Sequence, residues 1–418
     1  MIRTLRPVLL CLAVAVPAVA VRLTGAELPS VAALLVFGAA VVAASFVLAW
    51  AAETAELDIA GGLAIAILAV IAVLPEYAVD LYFAWTAGSR PEYVQFAAAN
   101  MTGSNRLLLG LGWSVVVLLA LLVARRRTGK PVKVLVLDAS YRREIGFLAV
   151  ASLLALVVPA TGQISLLLGL VLLGVFVFYL VRVASGGDEE EPDLVGPPAR
   201  IGALPTRTRR VVVVAMFAVA GGVVLASAEP FAEALVAGGQ ALGVDQFLLV
   251  QWLAPLASEA PELIVAVIFA LRGKGGAALG LLVSAKVNQW TLLVGSLPIA
   301  YLAGGGSTSL QLDARQVEEF GLTIAQTVMG IAVLMTLRFP RWAAWTLLAL
   351  FAVQFTVPGT HGRLVLTAVY AALAVVALVI NRRGILPTLA APFRRGVGDD
   401  VPVGPATSER DDALAGRR

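Results

Sequence analysis

Carboxylates set beside prolines inside apolar runs are the groups in this chain best suited to chemistry. In "AVIAVLPEYAVDLYFAW", residues 69–85, Glu76 follows Pro75 and Asp80 lies one helical turn further on. In "PLASEAPELIVAVIF", residues 255–269, Ser258 and Glu259 precede Pro261 and Glu262. Proline lacks the N–H that would bond the carbonyl four residues earlier. Pro75 and Pro261 therefore release the carbonyls of Ile71 and Ala257, and each helix is expected to kink there. A released carbonyl next to a carboxylate is a pair of hard oxygen donors, the kind that calcium and related cations take.

Each acidic stretch is followed by another apolar run carrying oxygen donors. "FAAANMTGSNRLLLGLGW" (96–113) offers Asn100, Thr102, Ser104 and Asn105, and "ALGLLVSAKVNQWTLLVG" (278–295) offers Ser284, Asn288 and Gln289. Ser284 and Asn288 are four residues apart, so they project from one helix face, as do Glu76 and Asp80. Asp80 is accordingly a candidate to support Glu76 or to relay protons. Taken singly, the hydroxyls and amides are as well explained as packing polars of membrane helices. The glutamates are not, because an acid at mid-membrane costs at least about 2.5–3.5 kcal/mol and calls for a function.

That argument presumes a membrane, and composition supplies it. The 418 residues are 60% hydrophobic and only 14% charged, with mean hydropathy +0.91, outside the range of soluble domains. The apolar runs have the length of spanning helices rather than the short alternating strands of a barrel. One cysteine, Cys11, excludes a disulfide framework or cysteine-rich metal site, and the one histidine, His361, reads as a loop residue. Runs near 6–23, 30–52, 59–86, 92–124, 143–160, 163–184, 209–228, 246–271, 276–303, 319–337, 341–358 and 363–381 predict an all-α polytopic protein of about twelve spans. The run at 92–124 is too long for a straight span and is expected to be tilted or broken. The first run also has the basic start and small-residue end of a signal peptide.

Alternate connections concentrate Lys and Arg: Arg125 to Arg143, Arg200 to Arg210, Arg272 with Lys274, Arg338 with Arg341, and Arg382 with Arg383. The positive-inside rule then puts both termini in the cytoplasm of a multi-pass cell-membrane protein. The Pro- and Gly-containing acidic run 186–198 reads as a flexible linker, and the end of the chain as a disordered tail. The expected divisions are an N-terminal helix (1–28), a first half (29–184), a linker (185–208), a second half (209–360), an extra helix (361–383) and a tail (384–418). On this count the two Pro-Glu helices run in opposite directions. Two related units of opposite orientation are the inverted repeats of secondary transporters, whose Pro-broken helices meet at a midplane site.

These residues resemble the calcium/cation antiporter superfamily, which includes the sodium/calcium exchangers. Leu74-Pro75-Glu76 and Ala260-Pro261-Glu262 match the end of its "GTSLPE"-like element, and Asn100 with Gly103-Ser104-Asn105 matches its "GNxxGSN"-like element. The resemblance implies that Glu76 and Glu262 are paired central cation ligands. It also implies that Asn105 and Asn288 are matching amide positions across a connection three residues longer in the first repeat, and that Ser284 takes the place of a hydroxyl ligand. The departures are Ala72 and Val73 in place of Thr-Ser, Ser258 and Glu259 at the second such position, and Met101 in place of a hydroxyl. In the sodium-coupled members those hydroxyls resemble sodium sites, so their loss speaks against sodium coupling. Glu259 and Lys286 are added charges, expected to form an ion pair, with protonation of Glu259 or a central glutamate replacing sodium.

Function follows as secondary antiport of calcium, or a similar cation, for H+ or Na+ by alternating access, with inorganic cations and the lipid bilayer as the only partners and no cofactor. Sodium/proton exchange is the main alternative. Trp113, Trp290 and Lys286 leave an organic-solute transporter open. A channel usually builds its filter from several subunits, and an enzyme would want a nucleophile, a metal cluster or an acid pair outside the repeats; neither fits. Acids near the span ends, Glu53, Glu56, Asp58, Glu229, Glu233 and Asp245, are expected either to draw cations to two vestibules or to be solvated helix ends.

Overall fold

The computed structural model describes residues 2–58, 73–184, 194–357 and 359–394. The carbonyl of Ile71, the Ala72 departure, most of the acidic linker and the chain after residue 394 lie outside the described residues.

The long apolar runs become helices: α1 (Ile2–Thr24), α2 (Ser30–Ala55) and α3 (Leu74–Ala87), then α4 (Val94–Leu107), a π-helical turn (Leu108–Trp113) and α5 (Ser114–Thr128). After strand β1 (Val134–Val136) come α6 (Arg142–Ala155), α7 (Val157–Thr161), β2 (Gln163–Ser165) and α8 (Leu166–Ala184). Short α9 (Pro197–Gly202) leads to α10 (Thr206–Leu242), α11 (Gln246–Leu271) and α12 (Gly275–Asn288), which passes through a second π-helical turn (Gln289–Leu293) into α13 (Val294–Ala303). The chain closes with β3 (Ser309–Gln311), α14 (Ala314–Leu334), β4 (Arg338–Pro340), α15 (Arg341–Val353), α16 (Gly359–Ile380) and α17 (Arg382–Ala390).

Ten helical stretches among the described residues are long and apolar enough to span a bilayer, where twelve spans were expected. Of the other two, α15 is a shorter apolar helix, and the span at 59–86 is described only from Val73 onward. The long run expected to be tilted or broken is one helical stretch, Pro91–Thr128, with the π-helical turn inside it. The run expected to end at 228 continues to Leu242 through Pro230, and Glu229 and Glu233 within this extension pair with Arg22 and Arg90. Pro261 does not break its helix: α11 runs on through both Pro255 and Pro261. A proline keeps a helical φ, so it deletes one backbone hydrogen bond without unwinding the chain. Pro75 lies in the first turn of α3 as described.

The stretch from α10 to α15 repeats the element order of α2 to α8: a long helix, a Pro-Glu helix, a helix with a π-helical turn, then strand, helix, strand, helix. Each two-stranded ribbon takes one strand from either half, β1 with β4 and β2 with β3. The ribbons mark opposite ends of the bundle. At the arginine-rich end, Arg127 donates to the carbonyl of Arg272, Arg142 to that of Met335, and Arg209 and Arg210 grip Asp58. The Arg209 hydrogen bonds hold the Asp58 carboxyl down to about 2. At the other end Arg90 meets Glu233, Arg22 meets Glu229 and Arg315 meets Asp245. Most of the acids suggested as cation funnels are thus claimed by arginines.

The core lies where α2 packs along α10, α4 along α11, and α14 along α16. At Gly103 the backbone of α4 approaches α11 so closely that an added Cβ would stand 1.7 Å from the carbonyl oxygen of Gln251. Only glycine permits that crossing, and it sets the neighbouring Ser104 and Asn105 against the second half.

Candidate functional site

Helix α3 delivers Glu76, 4% exposed, and α11 delivers Glu259, 1% exposed, to the same buried point. Gln289, at the start of the second π-helical turn, joins them: its Nε2 donates to Glu76 Oε1 at 3.1 Å and to Glu259 Oε1 at 2.5 Å. The Ser104 hydroxyl lies beside both carboxylates. Glu262, one turn beyond Glu259, is less buried than either and sits within the electrostatic reach of both. The acid facing Glu76 across a shared partner is therefore Glu259, with Glu262 as the third member, rather than Glu262 alone as expected. The physical reason is rotation along α11: a three-residue step turns Glu262 about 60° away from Glu259.

In this conformation no three acidic or imidazole side chains among the described residues converge closely enough to hold a metal together. The amide of Gln289 stands between two of them. Several polar atoms at the site make no hydrogen bond of good geometry among the described residues: Glu259 Oε2, Gln289 Oε1, Ser104 Oγ beside the two carboxylates, and the Asp80 carboxylate and Asn100 amide beside each other. Asp80 and Asn100 are fully buried and lie side by side. They repeat the Glu76 and Ser104 pairing one turn away, as antiparallel α3 and α4 require. Buried polar groups are normally satisfied, so this line of polar atoms is suited to receive a cation or protons.

Other expected residues are placed elsewhere. The Glu259–Lys286 ion pair does not form: Lys286 Nζ donates instead to the backbone carbonyl and to Oδ1 of Asn105, each at 2.9 Å. The long lysine arm crosses from α12 to α4 and reaches two oxygens of one residue, while Gln289 occupies Glu259. Asn288 accepts a hydrogen bond at its backbone carbonyl from Tyr77 at 3.3 Å. Ser284 lies beside Tyr179 of α8. The Ser258 hydroxyl donates back to Ala254 of its own helix at 3.2 Å. Trp113 and Trp290 are fully buried, Trp290 donating to Thr327 at 3.3 Å.

One group of residues was missed in the sequence. Arg106, next to Asn105, pairs with Glu319 at 2.5 Å, both nearly inaccessible, and Gln251 donates to Glu319 at 3.1 Å and to Thr102 at 3.3 Å. An arginine inside the run at 92–124 was the available signal, since an intramembrane charge implies a partner. The network ties α4, α11 and α14 together beside the carboxylates.

No curated protein sequence matches the chain. Among solved structures, the H+/Ca2+ exchanger CAX is 41% identical with TM-score 0.87, covering 94% of this chain and 98% of that one. YfkE, at 14% identity and TM-score 0.60, covers 87% and 99%. The sodium-calcium exchanger NCX_Mj, at 19% identity and TM-score 0.50, covers 79% and 99%. The last two likenesses concern the fold alone. The family model described as sodium/calcium exchanger protein matches residues 29–184 and 212–358. This multi-pass membrane chain therefore belongs to the sodium/calcium exchanger family, a family of transporters rather than enzymes.

Proposed function

We propose that the chain exchanges calcium, or a cation of similar chemistry, for protons by alternating access, with Glu76, Glu259 and Glu262 as the exchanging groups. The observation that carries this reading is the meeting of acids from two separate Pro-Glu helices around one amide in a buried centre. The 41% identical relative, an H+/Ca2+ exchanger, supports the choice of ions. Sodium/proton exchange finds no support among these relatives, and the tryptophans that kept an organic substrate open are packed in the core.

Mechanism follows from competition for the same carboxylates. Acids facing one another in a dry site resist being charged together, and a divalent cation removes that repulsion, so metal and protons bind exclusively. Gln289 shares its amide hydrogens between Glu76 and Glu259. A cation entering between them displaces that amide and can take its oxygen. Ser104 stands ready as a further donor, and Asp80 with Asn100 extends the path along α3 and α4. Asn105, held by Lys286, and Ser284, beside Tyr179, would need to change partners to join.

The repeated order of elements supports two inverted halves, 29–184 and 209–360, with 1–28 an added helix, 185–208 a linker, 361–383 an extra helix and 384–418 a tail. Both matched segments fall within the halves. The arginine-rich end is assigned to the cytoplasm, with both termini there.

The test is calcium uptake into proteoliposomes under an imposed pH gradient and, separately, a sodium gradient. The pH gradient alone is expected to drive uptake, and Glu76→Gln and Glu262→Gln each abolish it while the protein remains folded. Full pH-driven exchange in either variant, or uptake driven by sodium alone, refutes the reading.

A further inference from the structure

Lys286 is the one basic side chain among the site residues, and its placement is unusual for a lysine. It is fully buried between α12 and α4, its stem passes Trp290 with Nζ 5.9 Å from the ring centre, and it joins no carboxylate in an ion pair among the described residues. Instead it takes a backbone carbonyl and an amide oxygen, both from Asn105 and both at 2.9 Å, within the field of Glu259 and Glu76. Neutral carbonyl and amide oxygens backed by nearby carboxylates are the donors that hold a hard cation. A lysine ammonium is a compact point charge on a flexible stem, able to stand where such an ion would stand.

We infer that Lys286 is a tethered monovalent cation: it permanently fills one ion position of the translocation site, so that the site takes a single divalent ion and excludes sodium. Charge supports this. Among the three exchanging groups, Glu76, Glu259 and Glu262 carry three negative charges when ionised, Lys286 cancels one, and the two that remain are what one divalent cation neutralises, with Asp80 counted as a proton-carrying neighbour on the path. Geometry supports it too, because Asn105 Oδ1 cannot bind a mobile ion while Nζ occupies it. Lys286 is thus a specificity-determining residue that selects the ions without being exchanged itself. The inference rests on the exchanger reading above for its divalent substrate, but sodium exclusion is tested apart from it.

The experiment compares purified wild type with Lys286→Ala and Lys286→Arg in detergent, by thermal unfolding in choline, sodium or methylammonium chloride, each with and without calcium. Wild type is expected to gain nothing from sodium or methylammonium over choline. Lys286→Ala is expected to unfold earlier in choline and to recover by about 5 °C in saturating sodium or methylammonium, as a bound ion stabilises the form that binds it. Lys286→Arg, which keeps a charge on the tether, stays insensitive to sodium. In proteoliposomes, calcium uptake by Lys286→Ala becomes sodium-sensitive by tenfold or more, whereas wild type does not.

Sodium stabilisation of wild type overturns the proposal. So does a Lys286→Ala protein that is as stable as wild type and indifferent to monovalent ions, or one that none of the three salts recovers. Failure of calcium to stabilise wild type would instead strike the exchanger reading, leaving the monovalent comparison to stand on its own.

Discussion

Replacing Glu319 by glutamine is the sharpest test of how the second half is fastened to the site helix. Glu319 receives Arg106 at 2.5 Å and Gln251 at 3.1 Å, with Arg363 3.8 Å from its other oxygen, and the side chains of Arg106 and Glu319 are 3% and 4% exposed. Among the described residues Arg106 has no other carboxylate within ion-pair distance, and its further partners there are the carbonyl of Thr102 at 3.4 Å, Gln354 at 3.2 Å and the Trp252 ring. Glu319→Gln therefore strands a buried guanidinium, and breaking a buried pair from one side costs about 3–5 kcal/mol. At about 2 °C per kcal/mol for a large chain, the unfolding midpoint should fall by about 6–10 °C. Arg106→Met should fall less, because Glu319 keeps Gln251 and the shared Arg363. The double variant Arg106→Met/Glu319→Gln removes both charges and should be more stable than Glu319→Gln alone, the signature of coupling in a double-mutant cycle. Midpoints are read at one fixed scan rate, since unfolding in detergent need not reverse. A Glu319→Gln midpoint within about 1 °C of wild type, or a double variant no better than the single one, would refute the argument that this pair is a buried fastening.

Gly103→Ala should abolish transport and lower stability, because its Cβ would enter the Gln251 carbonyl, whereas Gly222→Ala, with nothing within 4 Å, should be neutral or slightly stabilising; equal effects in the two would count against the crossing as a determinant of the site. Asp58, held down to about 2 by Arg209 and Arg210, contributes stability that is present above its unfolded value near 3.8 and lost as pH falls towards the folded value. Asp58→Asn should thus lower the midpoint at pH 5 but approach wild type near pH 2, and an unchanged difference at both pH values would exclude this clamp.

Much of this was legible in the sequence because the bilayer demands it. Ten of the expected spans are helices of spanning length, since only a long apolar run with internally bonded backbone is stable there. Glu76 and Glu262 stood out for the same reason, since an acid in such a run is costly wherever it points, whereas Glu259 read only as an added charge facing Lys286. What the sequence hid was pairing across long separations. Nothing local distinguishes Asn105 from Glu259 as the partner of Lys286, 181 residues from the first and 27 from the second. The lysine's reach and the crossing at Gly103 decide it, and both are properties of two helices together.

The π-helical turns show how local structure and the site are joined. Each inserts a residue directly after the polar cluster of its helix, at Leu108–Trp113 following Asn105 and at Gln289–Leu293 following Asn288. An inserted residue rotates everything beyond it by about 100° relative to an unbroken helix. In the second half that rotation begins at Gln289, the residue whose amide spans Glu76 and Glu259. Periodicity arguments assume a constant turn per residue, so they place Asn288 and Ser284 on one face but cannot see that the register changes immediately after them. The same irregularity gives Gln289 a position that a uniform helix would assign to another side chain. If alternating access requires the carboxylates to exchange an amide for an ion, the π-helical turn is the element where a small change in helical register would release that amide without moving α11.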